Sequence, residues 1–286
     1  MKTLIVGMGF GKAVYGSIYE RLGWDIVYVD PYNKDADYIE IPEDQSFATA
    51  HICTPNTTHY DLANAAAKVS DIVFVEKPGV KNVDQWNKLC TYNPTTRFMM
   101  TKNNQHRWSD AEIEELKQRA SSAENIKICW VNSNRVPRPG SWFTNKKLAY
   151  GGVSRDLTPH LLSIYQLLYP TWKHSVRTQT SLKQNWTLDD LSDSDYGDVI
   201  KNGIYDVDDY CLLTYQNFEI YSNWRSKTTD DFAIYFDDER IELGPLCPES
   251  AYENMINAAI DNWKNDNFWK HQKEMDLWIH RHVATL

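Results

Sequence analysis

The sequence predicts an α/β protein in two parts, a doubly wound parallel sheet followed by a segment of antiparallel strands and helices. Three observations carry this. Short β-branched runs alternate with helical periodicity over the first hundred or so residues. After about residue 120 the pattern changes to longer strand-like runs separated by turn residues. The length of 286 residues suits about two domains, each able to bury its own core.

The first strands are expected at 3–7 (TLIVG), 25–29 (DIVYV), 49–53 (TAHIC), 71–76 (DIVFVE) and 96–100 (TRFMM). Between them, FGKAVYGSIYERLG and THYDLANAAAKV repeat apolar residues at three- and four-residue spacing, as crossover helices of βαβ units do. A charged helix is expected at about 109–120 and closes a first domain of 1–120. In the second domain, 121–286, strands are read in IKICWVNSNRV, SVRTQTSLKQNW, DDYCLLTYQ, FEIYSNWRS and FAIYFDDERIEL, with turns at Asn217 and Asp237-Asp238. Tyr252, Met255, Ile256, Ala259, Ile260 and Trp263 give one apolar helical face, and 268–283 repeats the pattern less cleanly.

Composition narrows the function. Thirty Lys and Arg against 39 Asp and Glu leave a charge of −9, the wrong field for nucleic acid or an anionic membrane surface. The five cysteines (Cys53, Cys90, Cys129, Cys211, Cys247) form no C-x-x-C pair, which suggests neither a disulfide framework nor a zinc knuckle and suits a reducing, cytoplasmic setting. No secretory signal, membrane span, H-E-x-x-H or other metal motif is read in the chain.

Gly7-Met8-Gly9-Phe10-Gly11-Lys12 follows the first strand and opens the first helix. It reads G-x-G-x-G, one place short of the dinucleotide fingerprint, yet Gly7 suits a tight turn and Gly9 a close approach to a pyrophosphate at the helix N-terminus. Asp30, 23 residues beyond Gly7, ends the second strand where an acid would meet ribose hydroxyls and repel a 2′-phosphate. NAD is therefore favoured, with NADP as the alternative.

Three further segments carry chemistry. Thr54-Pro55-Asn56-Thr57-Thr58-His59 follows the third strand, and it equally suits a turn with Thr57 or Thr58 capping a helix. Glu76-Lys77-Pro78-Gly79 follows the fourth strand, where a lysine ammonium can bond a substrate hydroxyl; an ordinary exposed lysine in a turn is the alternative. Gly151-Gly152 leads to Asp156 and His160, four apart, with Thr158 and Pro159 also fitting a plain helix start. Arg107, Arg155 and Trp142 are candidates for the border of the cleft, and an arginine there would pair a substrate carboxylate or phosphate.

Taken together, the glycine loop at 7–11, TPNTTH at 54–59, EKP at 76–78 and GG-x-x-x-D-x-x-x-H at 151–160 resemble the Gfo/Idh/MocA oxidoreductase family. The resemblance implies a Rossmann domain joined to an α/β domain whose large, mostly antiparallel sheet offers its open face to a second copy, giving a homodimer or homotetramer. It also implies NAD(P)-dependent hydride transfer at a secondary alcohol or carbonyl of a sugar, polyol or related compound. By motif, Lys77, Asp156 and His160 become the catalytic set, and Thr54, Pro55, Asn56, His59 and Glu76 join the cofactor side. Tyr150, Arg155 and Thr158 depart from the family pattern, which leaves the substrate open. A reductase of an imine, tetrapyrrole or activated double bond is one alternative, and a non-catalytic nucleotide sensor is another.

Overall fold

The computed structural model describes residues 1–245 and 248–286; Cys247 lies outside the described residues. The chain begins with β1 (Lys2–Val6), whose Leu4, Ile5 and Val6 are all buried, as a strand covered on both faces requires. Helix α1 (Met8–Gly11), a π-helical turn (Lys12–Gly16) and α2 (Ser17–Arg21) follow without a break. Next come β2 (Asp25–Val29), β3 (Phe47–Ile52), α3 (His59–Ala66), β4 (Ser70–Val75), α4 (Val83–Tyr92) and β5 (Arg97–Met100). The five strands pair in parallel in the order β2-β1-β3-β4-β5. No helix connects β2 to β3; residues 30–46 are turns with one bridge, Val29 to Tyr38. The order reverses between β1 and β3, so the crevice at the C-terminal ends of those two strands is the switch point where such sheets take ligands.

The next stretch begins with α5 (Asp110–Ser122), opened by a capping box in which Ser109 and Glu112 satisfy each other's backbone N–H. After it run β6 (Ile126–Val131), α6 (Lys146–Ala149), α7 (Val153–Asp156) and α8 (Thr158–Leu168). Then come β7 (Gln179–Lys183), β8 (Tyr210–Thr214), β9 (Phe218–Asn223), β10 (Asp231–Phe236) and β11 (Glu239–Glu242). These six strands form a second sheet in the order β11-β10-β6-β9-β8-β7, antiparallel throughout except for the β6–β9 pair. Helix α8 is buried almost all round and packs on β6 and β9 and against α5. Asp237, at positive φ, turns the β10–β11 hairpin, while its carboxylate accepts the N–H groups of Glu124 and Asn125.

Two helices close the chain, α9 (Glu249–Asp261) and α10 (Asp266–Ala284). They return to the first sheet. The compact units are Met1–Asn103 with Glu249–Ala284, and Asn104–Pro248 with Thr285–Leu286. This differs from the expected division at 1–120 and 121–286 at two places. Helix α5 joins the second unit because it packs on α8. The α9 face of Tyr252, Met255, Ile256 and Ala259, with Trp269 of α10, is buried among Ile5, Tyr15, Ile18, Tyr19, Phe74 and Met99 of the first unit. Among the described residues no helix is long and apolar enough to cross a membrane.

Candidate functional site

In the first unit the sequence-predicted residues collect at the C-terminal edge of the parallel sheet. Gly7 has φ +95, and a Cβ there would lie 2.5 Å from the Cys53 carbonyl oxygen, so the β1 turn presses on the end of β3 and only glycine fits. A Cβ on Gly9 would meet nothing within 4 Å. The turn is therefore open where a pyrophosphate would approach, and the local structure fits a dinucleotide. The Asp30 carboxylate accepts from the Met8 N–H (3.0 Å) and the Tyr32 N–H (2.9 Å), which ties the end of β2 to the glycine turn. Phe10 is partly exposed and meets Tyr15 and Tyr252 edge-on, while Lys12 reaches over the Tyr28 ring.

The two neighbouring loops are built differently. Thr54 and Thr58 hydroxyls bond at 2.7 Å, Pro55 is exposed and Asn56 is buried. His59 is fully buried, with ring nitrogens 2.6 Å from the Gly79 carbonyl and 2.7 Å from the Thr54 carbonyl. It braces two loops from beneath rather than opening onto a ligand. Glu76 accepts from the Tyr15 hydroxyl at 2.5 Å, and burial pushes its carboxyl up. That tyrosine lies in the π-helical turn, a local irregularity often found at functional sites. Lys77 is half-buried, its N–H donates to the Thr101 hydroxyl (3.2 Å), and the Lys77–Pro78 peptide is cis.

In the second unit, the Gly151-Gly152 pair lets α7 start hard against the chain before β8. The Gly152 N–H donates to Asp208 Oδ1 (2.9 Å) and the Ser154 N–H to Asp208 Oδ2 (2.8 Å). Asp156, half-buried, accepts from the Trp224 indole N–H at 2.9 Å. His160, in the first turn of α8, lies 5.5 Å from the Trp130 ring. Arg155 is 7% exposed, its N–H donates to the Gly152 carbonyl (2.9 Å) and its Nη1 is buried with no hydrogen-bond partner among the described residues; burial lowers its pKa to about 10. Arg107 is directed elsewhere, its two terminal nitrogens donating to the main-chain carbonyls of Leu243 and Pro245. Trp142 stacks on Phe143 at 3.8 Å.

The structure thus brings together Gly7, Gly9 and Asp30, and separately Thr54, His59 and the Lys77 loop. Asp156, Arg155 and His160 belong to the other unit. Sequence reasoning missed Tyr15, Asp208 and Trp224, whose partners lie 61, 54 and 68 residues away. No local pattern signals such pairs. Among the described residues no group of His, Cys, Asp or Glu could hold a metal ion.

Comparison with known proteins bears on the fold. Residues 18–101 match a family model described as an oxidoreductase family with an NAD-binding Rossmann fold, Gfo/Idh/MocA. A D-glucoside 3-dehydrogenase of Escherichia coli (strain K12) is 26% identical over 128 residues, 43% of this chain and 36% of that protein. The chain matches only about a third of the length of its curated relatives. Among solved structures, GenD2 from gentamicin A biosynthesis in complex with NAD superposes with a TM-score of 0.75 at 15% identity, covering 99% of this chain and 92% of that one. A levoglucosan dehydrogenase with NADH and levoglucosan gives 0.67 at 13% identity, covering 100% and 97%. At those identities the likeness is one of fold.

Proposed function

From a chain whose residues 18–101 match the NAD-binding Rossmann model of the Gfo/Idh/MocA oxidoreductases, we propose that this protein belongs with them and transfers hydride to or from a secondary alcohol carbon of a sugar, polyol or related compound, using NAD. The observation that carries the reading is the open turn at Gly9 joined through Met8 to the Asp30 carboxylate. That arrangement offers a helix N-terminus to a pyrophosphate and an acid to ribose hydroxyls, and it disfavours the extra phosphate of NADP. The D-glucoside and levoglucosan dehydrogenases among the similar proteins support the sugar or polyol class.

Bound nicotinamide supplies the hydride donor or acceptor. The chain's own residues then have the proton to manage. Lys77 or His160 takes the hydroxyl proton, and Asp156, held by Trp224, orients the imidazole or the substrate. We also propose that copies associate through the second sheet's face opposite α8, where Cys129, Val131 and Ala233 pack with Tyr221 and Tyr235. Light scattering of the purified protein reads that association directly.

The testing experiment is a titration with NADH and NADPH, followed by tryptophan quenching and energy transfer to the nicotinamide. Saturable NADH binding with weaker NADPH is expected. Tighter NADPH would overturn the cofactor preference, and no binding of either would overturn the enzyme reading. Once a substrate is in hand, Lys77→Ala and His160→Ala should each lower turnover by roughly 10²–10⁴-fold with little change in NADH affinity.

A further inference from the structure

Two histidines from distant helices meet on one peptide group. The carbonyl of Gly79 and the N–H of Val80 belong to the same peptide, two peptide bonds beyond the cis Lys77–Pro78 link. His59 Nδ1, from the start of α3, lies 2.6 Å from that carbonyl. His280 Nε2, from α10, accepts the N–H at 3.2 Å. Both rings are fully buried.

The surroundings are built for this grip. Gly79 has φ +78, and a Cβ there would sit 2.5 Å from His280 Nε2, so the glycine is what lets the ring approach. His280 stacks on the buried Trp86 at 4.9 Å, and its Nδ1 bonds the Asp276 carbonyl at 2.7 Å. The Asp276 carboxylate is itself anchored at the end of β5 by the Met100 N–H and the Lys102 ammonium. The α10 turn 276–280 is therefore pinned to β5 and to the loop after β4 at once.

The partners also fix the protons. A carbonyl only accepts and an N–H only donates, so His280 carries its proton on Nδ1 and leaves Nε2 bare. His59 faces two carbonyls, those of Gly79 and Thr54. A neutral ring donates to one of them and turns a lone pair toward the other, so holding the Gly79 carbonyl puts the proton on Nδ1. Burial, with the nearby Lys77 charge, lowers the His59 pKa below its ordinary value against the pull of the two carbonyl bonds, so near neutral pH the ring is uncharged.

We propose that His59 and His280 are positioning residues that clamp the Gly79–Val80 peptide and so fix the loop bearing Lys77. This rests on the role given to Lys77 above. The test uses the full chain. Nitrogen-15 NMR of the wild type near neutral pH should show both His280 and His59 protonated at Nδ1 alone. A proton on His280 Nε2, or a His59 proton on Nε2 alone, would overturn the clamp. In His280→Ala the Val80 amide should exchange about tenfold faster, with β4 amides unchanged and His280→Gln restoring slow exchange through its own amide oxygen. Lysine reductively methylated with carbon-13 formaldehyde gives Lys77 its own resonance. It should shift or broaden in His280→Ala and His59→Ala while other lysines stay put; an unmoved Lys77 signal would reduce both histidines to fold supports and overturn the positioning role. Should the variants fail to fold, the wild-type proton positions still decide. Failure of NADH to bind the same wild-type sample would remove the proposed function without altering these signals.

Discussion

At the scale of single side chains, the buried imidazole of His51 couples stability to acidity. It is stacked between Tyr15 (4.1 Å) and Phe74 (4.5 Å), bonds the Tyr19 hydroxyl at 2.8 Å, and burial lowers its pKa from 6.5 to about 3. Between those values the unfolded chain holds a proton that the folded chain refuses. Stability should therefore fall as pH drops from about 6.5 toward 3, by about 1.4 kcal/mol for each unit. His51→Phe keeps the stacking and removes the titration, so urea unfolding from about pH 6.5 to 4 should give a shallower slope for the variant. Equal slopes would refute the assignment. Other single residues were legible in the sequence to different depths. Gly7 and Asp30 could be placed because each ends a strand. That His59 would face inward, or that Arg107 would be held by the carbonyls of Leu243 and Pro245, depends on chain arriving from elsewhere.

At the scale of elements, strands and helices followed their periodicities closely, while their neighbours did not. The β10–β11 hairpin was readable from Asp237-Asp238 because its turn is local. The parallel pair of the second sheet, β6 with β9, was not, since its two strands are joined through most of the second unit. The start of α7 illustrates a local motif with a distant cause. A Cβ on Gly152 would fall 1.8 Å from the Asp208 carbonyl oxygen, backbone against backbone, so no rotamer relieves it. Gly152→Ala should cost at least about 3 kcal/mol in chemical denaturation. Gly9→Ala, with nothing within 4 Å, should leave stability nearly unchanged and weaken NADH instead. Equal stability losses would undo this distinction between a packing glycine and a ligand-facing one.

At the scale of the whole molecule, the main departure from expectation is where the last two helices go. Their apolar faces announce that they pack, but a face carries no address. In the folded chain α9 and α10 complete the core of the first unit. A chain ending at residue 248 loses Tyr252, Met255, Ile256, Ala259 and Trp269 from that core and exposes what they covered. It should aggregate or unfold without cooperativity, as read by gel filtration and near-ultraviolet circular dichroism. A monodisperse 1–248 protein with full NADH affinity would contradict the assignment.

The split first unit also sets a schedule for biosynthesis. Asn104–Pro248 is a nearly uninterrupted stretch that can fold as it leaves the ribosome, whereas Met1–Asn103 must wait for Glu249–Ala284. At about 5–20 residues per second that wait is roughly 10–40 s. The part made first is thus finished last, and the apolar flank of the nascent parallel sheet is the surface a chaperone would need to shield in the interval.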